Sequence, residues 1–131
     1  MEILNKIVWN KDQLISAIIQ DADTKKVLMM AWMNEESLKK TISEGKCYFW
    51  SRSRNKLWLK GEESGHIHFV KEILLDCDND CLLLMVKTEE GISCHTGRES
   101  CFFKQIKKNG DTMNEIEAVK ISPERIYKEK K

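Results

Sequence analysis

"LISAIIQDADTKKVLMMAWM", residues 14–33, is the stretch on which the fold turns. Two apolar runs flank the polar "DADTKK", the pattern of two strands joined by a turn, so the segment predicts a β-hairpin. Its second run would also suit the start of a buried helix. Directly after it, Asn34 offers an N-cap, Glu35 and Glu36 suit a first turn, Leu38 and Ile42 are spaced i,i+4, and Gly45 can close the end. These features predict one short helix over 35–44.

Downstream, "KCYFWSRSRNKLWLKG" (46–61) pairs two aromatic-rich runs around a polar tip and reads as a second hairpin. The segment 66–96, "HIHFVKEILLDCDNDCLLLMVKTEEGISCHT", reads as further strands turning near Gly91. Residues 107–131 are polar; a helix through "MNEIEAVKI" (113–121) fits them, and the "KEKK" tip is expected to be mobile. The expected architecture is α+β, mainly β: antiparallel hairpins and a twisted sheet with one or two short helices.

The chain has 131 residues, no repeat and no Gly/Pro/Ser-rich linker, so a single domain over 1–131 is expected. A net charge of +1 excludes a general electrostatic field for nucleic acid or membrane and confines any basic surface to a local patch. The N-terminus lacks the pattern of a signal peptide, and the longest apolar run, "VLMMAWM" (27–33), is far below the ~20 residues that cross a bilayer. A cytoplasmic protein with no membrane partner is expected. Five cysteines, an odd number, then point to reduced thiols and metal ligation rather than disulfides.

The thiols fall in two groups. In "DCDNDC" (76–81) carboxylates alternate with thiols. If residues 76–80 are extended, Asp76, Asp78 and Asp80 share one face and Cys77 the other, so one strand would serve a hard cation such as Mg²⁺ and a thiophilic one such as Zn²⁺. An EF-hand is excluded, because its turn glycine would fall at Cys81 and its closing glutamate at Lys87. A solvated acidic turn is the plain alternative. In "SCHTGRESC" (93–101), Cys94 and Cys101 flank His95 and Arg98. Cys77, Cys94 and Cys101 would leave a fourth position open, as in a catalytic zinc site; with Cys81 added they would close a structural Cys₄ site; buried thiols without a ligand are the third possibility.

His95 adjoins Cys94, and successive side chains in extended backbone diverge, so it suits an acid or base better than a ligand of the same ion. His66 and His68 share a strand face and stay unassigned, since they lack the pairing of zinc nucleobase deaminases. Arg52, Arg54, Lys56 and Lys60 gather in "SRSRNKLWLKG" (51–61). They suit phosphate recognition or a solvated tip; with Tyr48, Phe49, Trp50 and Trp58 they also suit stacking of single-stranded RNA.

Taken in order, "VLMMAWMNEESLKKT", "SRSRNKLWLKGEESGH", "DCDND" and "CHTGRESCF" resemble the phosphoribosyl-AMP cyclohydrolases of histidine biosynthesis, over about residues 14–106. The resemblance implies a single-function hydrolase that opens the adenine ring of 1-(5-phosphoribosyl)-AMP at N1–C6. It also implies an intertwined homodimer with Zn²⁺ held between protomers by Cys77, Cys94 and Cys101, and Mg²⁺ at Asp76, Asp78 and Asp80. Arg52, Arg54 and Lys60 would take the two substrate phosphates, and His95 would act as the base. Three departures are visible: Glu63 stands where the family's "GETSG" has threonine, Cys81 is not a family ligand, and the turn between Cys77 and Cys94 is one residue longer, at "KTEEGIS" (87–93). A zinc-stabilised RNA-binding module is the rival expectation.

Overall fold

The computed structural model describes residues 1–128, with side chains through Ile126. The predicted tip 128–131 therefore lies almost wholly outside the described residues. After a 3-10 turn (Glu2–Asn5), β1 (Ile15–Asp21) and β2 (Val27–Met33) form the expected antiparallel hairpin. Its turn is built by Asp21, whose Oδ1 accepts from the N–H groups of Asp23 and Thr24, with Lys25 in the left-handed region at φ 68°. The helix reading of the second run is set aside.

Helix α1 (Glu35–Glu44) has the predicted bounds. Asn34 Oδ1 accepts from Ser37 N–H while Ser37 Oγ accepts from Asn34 N–H, a reciprocal cap, and Gly45 ends the helix at φ 72°. The buried face differs from the expected one: Ser37, Leu38 and Thr41 face the core, and Ile42 is exposed. Thr41 is buried at no polar cost, since its hydroxyl donates to Ser37 O and accepts from Tyr48 N–H. That bond stitches the helix to β3 (Tyr48–Ser51), which pairs with β4 (Lys56–Leu59) as the second predicted hairpin.

Strands β5 (His68–Leu75) and β6 (Cys81–Thr88) form a third hairpin, but its turn is 76–80, not the region of Gly91. Residues 76–80 are accordingly a turn and not extended strand, so the expected alternation of aspartates and Cys77 on opposite faces does not hold. Asp76 Oδ1 accepts from the N–H groups of Asp80 and Cys81, and Asn79 sits at φ 62°. Short polar side chains that bond their own backbone make such turns.

One four-stranded sheet results, in the order β2-β1-β6-β5. Its outer pairs are antiparallel, and the two hairpins meet in a parallel central pair, Ser16 opposite Cys81 through Asp21 opposite Val86. One face carries Ile15, Ala17, Ile19, Met33, Leu82, Leu84 and Val86 into the core, closed by Leu38, Cys47 and Phe49. The chain ends in a small hairpin, β7 (Lys104–Ile106) with β8 (Met113–Glu115), and a short helix α2 (Pro123–Lys128). The expected helix through 113–121 is replaced by β8 and a bent segment. Among the described residues no helix is long and apolar enough to cross a membrane.

Candidate active site

The two predicted hairpins and the thiol segment converge on one cleft. Met29, Met30, Ala31 and Trp32 of β2 form its wall, the β3–β4 hairpin its rim, and Ser93, His95 and Cys101 its far side, around about 800 Å³. That size suits a nucleotide-scale ligand. A second depression of about 850 Å³ beside the start of α1 is lined by Trp9, Asn34, Glu35 and Lys39 among others, with no cysteine or histidine. The sequence-predicted residues Arg52, Arg54, Lys60, His95 and Cys101 line the first.

The thiol loop is tight because its backbone bonds are local. Ser93 N–H donates to the Arg98 and Glu99 carbonyls, Cys94 N–H to Arg98 O, and Gly97 N–H to Cys94 O. Cys101 N–H donates to Leu28 O at 2.7 Å, which fixes Cys101 to β2. Cys94 is buried and its Sγ accepts from the Thr96 hydroxyl at 3.0 Å; Cys101 opens to the cleft. Desolvation of the sulfur and then the adjacent Cys94 push the Cys101 thiol up to about 12, against the pull of Lys60. Cys94 and Cys101 are neighbours within hydrogen-bonding reach and free of disulfide.

Lys60, predicted to bind phosphate, is half-buried and turned toward this loop: its Nζ donates to Ser93 O. Burial lowers its pKa, while Cys101 and Cys94 raise it. Arg52 and Arg54 stand exposed on the rim, the Arg52 guanidinium 4.9 Å from the Trp32 ring centroid. Of the aromatics considered for RNA, Phe49 and Tyr48 are buried, while Trp50 and Trp58 are half-buried and line the cleft. His95 is exposed and lines the cleft.

Cys77 and the aspartates lie elsewhere. Cys101 is fixed to Leu28, which is level with Leu84 and Met85 through the β2–β1–β6 register, whereas the 76–80 turn lies beyond Cys81. With about 3.3 Å per residue and about 4.8 Å per strand, Cys77 is roughly 10 Å away along the strands and roughly 10 Å across them. Thiolates sharing a zinc ion must approach to about 4 Å. Among the described residues of one chain no three His, Cys, Asp or Glu side chains converge on a metal position. Asp76 and Asp80 do interact: backbone N–H groups, Asp80's first, hold Asp76 low, and the Asp76 carboxylate raises Asp80.

Sequence reasoning left His68 without a role. It is wholly buried, with Nδ1 3.1 Å from His66 O and Nε2 2.7 Å from Ser93 Oγ. A carbonyl only accepts, so Nδ1 carries the proton and Nε2 accepts from the Ser93 hydroxyl. Its pKa is lowered to about 4 by burial and by Lys60. An unfolded histidine binds its proton near ~6.5, so between those values the unfolded chain takes up more protons and acid favours it. Thermal stability should therefore fall as pH drops from about 6.5 toward 4, by up to about 3 kcal/mol, and this part of the loss should vanish in His68→Gln. A pH series of melting curves on both proteins checks it. His66 Nε2 is meanwhile engaged with Glu90 at 3.0 Å.

A small mixed sheet that gathers thiols, an imidazole and guanidinium groups around one recessed cleft is the build of an enzyme, not of a surface that grips a polymer. The model of the family described as Phosphoribosyl-AMP cyclohydrolase matches residues 29–103, which hold α1, strands β3 to β6, the cleft-lining residues and both thiol groups. Proteins named phosphoribosyl-AMP cyclohydrolase from Nitrosospira multiformis and Nitrosomonas europaea are each 53% identical over 95% of this chain, covering 94% and 95% of their own lengths. The protein of that name from Pseudomonas paraeruginosa is 53% identical over 95% of this chain and 91% of its own length. The chain belongs to the phosphoribosyl-AMP cyclohydrolase family and is an enzyme of that kind.

Proposed function

We propose that the chain opens the adenine ring of 1-(5-phosphoribosyl)-AMP by adding water at C6 and breaking the N1–C6 bond, a step of histidine biosynthesis in the cytoplasm. The observation that carries this is the cleft in which His95 and Cys101, with Cys94 buried beside it, face the Arg52–Arg54 rim. A nucleotide with two phosphates needs anion contacts, a slot for a base, and groups for hydrolysis, and the cleft offers each.

Zinc fits the donor set only if a second copy of the chain completes it. Cys94 and Cys101 would be two ligands, and Cys77 of the partner subunit the third, since the Cys77 of the same chain is too far along the sheet. A homodimer is further supported by the sheet face opposite the core, where Met30, Ile18, Leu83 and Leu74 form one apolar row across all four strands. Ile18, Met30 and Leu74 are exposed in the single chain. Bound to three thiolates, zinc would supply acidification of a water molecule, less strongly than with neutral ligands. Magnesium at Asp76, Asp78 and Asp80 fits less well, because the three carboxylates do not converge within one chain, and no step is assigned to it.

The chain's own groups carry the rest. His95 takes the proton of the attacking water on an imidazole nitrogen, and a proton must reach N1 as the ring opens. Lys60 sets positive charge beside the thiols and has two further N–H donors for a phosphate oxygen. Arg52, held against Trp32, and Arg54 grip phosphate on the rim.

His95→Ala should keep its zinc yet lose about 10²–10⁴ in kcat, the usual share of general acid–base catalysis. An unchanged kcat removes His95 from the reaction. Arg52→Ala or Arg54→Ala should raise KM with little change in kcat if phosphate is gripped alike in ground and transition states. Cys81→Ala should keep both zinc and turnover, whereas a zinc-free Cys81→Ala protein would favour the closed Cys₄ arrangement.

A further inference from the structure

The segment 113–121, which sequence alone assigned no task, is bonded along the outer edge of the thiol loop. Lys120 and Ile121 donate their N–H groups to Gly97 O at 2.8 and 3.1 Å, and Ile116 N–H donates to Phe103 O at 2.8 Å. Arg98 Nε donates to Glu117 O at 2.8 Å while its guanidinium lies 3.9 Å from the Phe103 ring centroid. The approach is close enough that a Cβ on Gly97 would stand 1.8 Å from Ile121 O, and Gly97 has φ 87°. Glycine is required there on both counts.

Glu117 stands at the centre of this strap. Its side chain is 16% exposed; Oε1 accepts from Ser100 N–H at 2.9 Å, and Oε2 pairs with Lys26 Nζ at 2.7 Å. Lys26 also pairs with Glu99 at 2.9 Å and immediately precedes β2. The Val27 and Leu28 carbonyls of β2 accept from Ser100 Oγ and Cys101 N–H. Strap, loop and strand thus close a ring of charge-assisted and backbone bonds around Ser100, the residue next to Cys101.

We infer that Glu117 is a positioning residue for the thiol pair: it fixes Ser100 against β2 and so sets the reach of Cys101 toward Cys94. This rests on the reading that those two thiols ligate one ion, but the spacing itself is testable without metal or substrate. The probe is phenylarsine oxide, which closes a ring on two thiols only when they lie side by side. It is titrated into the full-length Cys77→Ser/Cys81→Ser protein in the presence of a chelator, leaving Cys94, Cys101 and the buried Cys47.

Glu117→Ala should weaken arsenical binding by about 10–100-fold, the usual effect of losing a group that orients a ligand. Glu117→Gln keeps an oxygen for Ser100 N–H and should stay within a few-fold of the parent; Lys26→Met, which leaves the strap's backbone bonds intact, should fall between. Leu38→Ala, a core lesion far from the loop, serves as the control: it should lower the melting temperature and leave arsenical affinity alone. Parent-like affinity in Glu117→Ala overturns the inference, as does a loss in Leu38→Ala matching its loss of stability. Should Glu117→Ala fail to fold, Lys26→Met against Glu117→Gln decides the matter by the same two criteria. A parent protein that binds no arsenical overturns the spacing itself, whatever the enzyme assay reports.

Discussion

Replacing Cys94 by serine is expected to remove bound zinc and turnover together. A serine hydroxyl is a poor substitute for thiolate toward a soft-accepting ion, and the site has no spare donor within reach: among the described residues no third metal-binding side chain joins Cys94 and Cys101. Removing a group that merely orients a ligand costs about 10–100-fold, so losing a ligand should cost more than that. The fold should survive, because Cys94 is replaced by a smaller side chain whose backbone bonds to Arg98 and Gly97 are unchanged. Zinc content by atomic absorption, together with the rate, checks both halves. Turnover that outlives the metal would detach the thiols from the chemistry.

The second large effect is a recovery. Cys77→Ser and Cys94→Ser proteins should each be inactive, yet a mixture unfolded and refolded together should regain activity. If each site takes Cys77 from one subunit and Cys94 with Cys101 from the other, a mixed dimer holds one intact site and one doubly broken site. Random pairing makes half the dimers mixed, so about a quarter of wild-type activity should return. No recovery would mean that both cysteines serve the same chain's site, against the separation the sheet register imposes.

Local signals in the sequence were reliable guides. The cap at Asn34, the stop at Gly45 and the hairpin of residues 14–33 are each decided by neighbours, and each stands in the structure. The parallel pairing of β1 with β6 left no such trace, because its partners lie some sixty residues apart in the chain and no local turn sets their register. "DCDND" misled for a physical reason: its period of two mimics a strand, but Asp and Asn bond their own backbone and Asn79 accepts a left-handed conformation. Density in turn-forming residues outweighed alternation.

The candidate site divides in the same way. The thiol segment and the basic hairpin stood out in the sequence by composition, and both reach one cleft, where His95, Cys101, Arg52, Arg54 and Lys60 are lining residues. What Lys60 does there was not legible, since burial against Ser93 and the thiols depends on how two distant hairpins close. The Lys26–Glu117 pair and the strap around Gly97 were invisible for another reason: most of those bonds involve backbone, which any sequence can offer. His68, unassigned from sequence, is a buried, neutral partner of Ser93.

The most direct test follows the ultraviolet spectrum of 1-(5-phosphoribosyl)-AMP with the purified protein, before chelation, after chelation and after zinc is restored. Loss of the closed adenine chromophore that stops with the chelator and resumes with zinc is the predicted result. Ring opening at an undiminished rate in the metal-stripped protein, or none under any of the three conditions, would contradict a water made reactive at a sulfur-held ion.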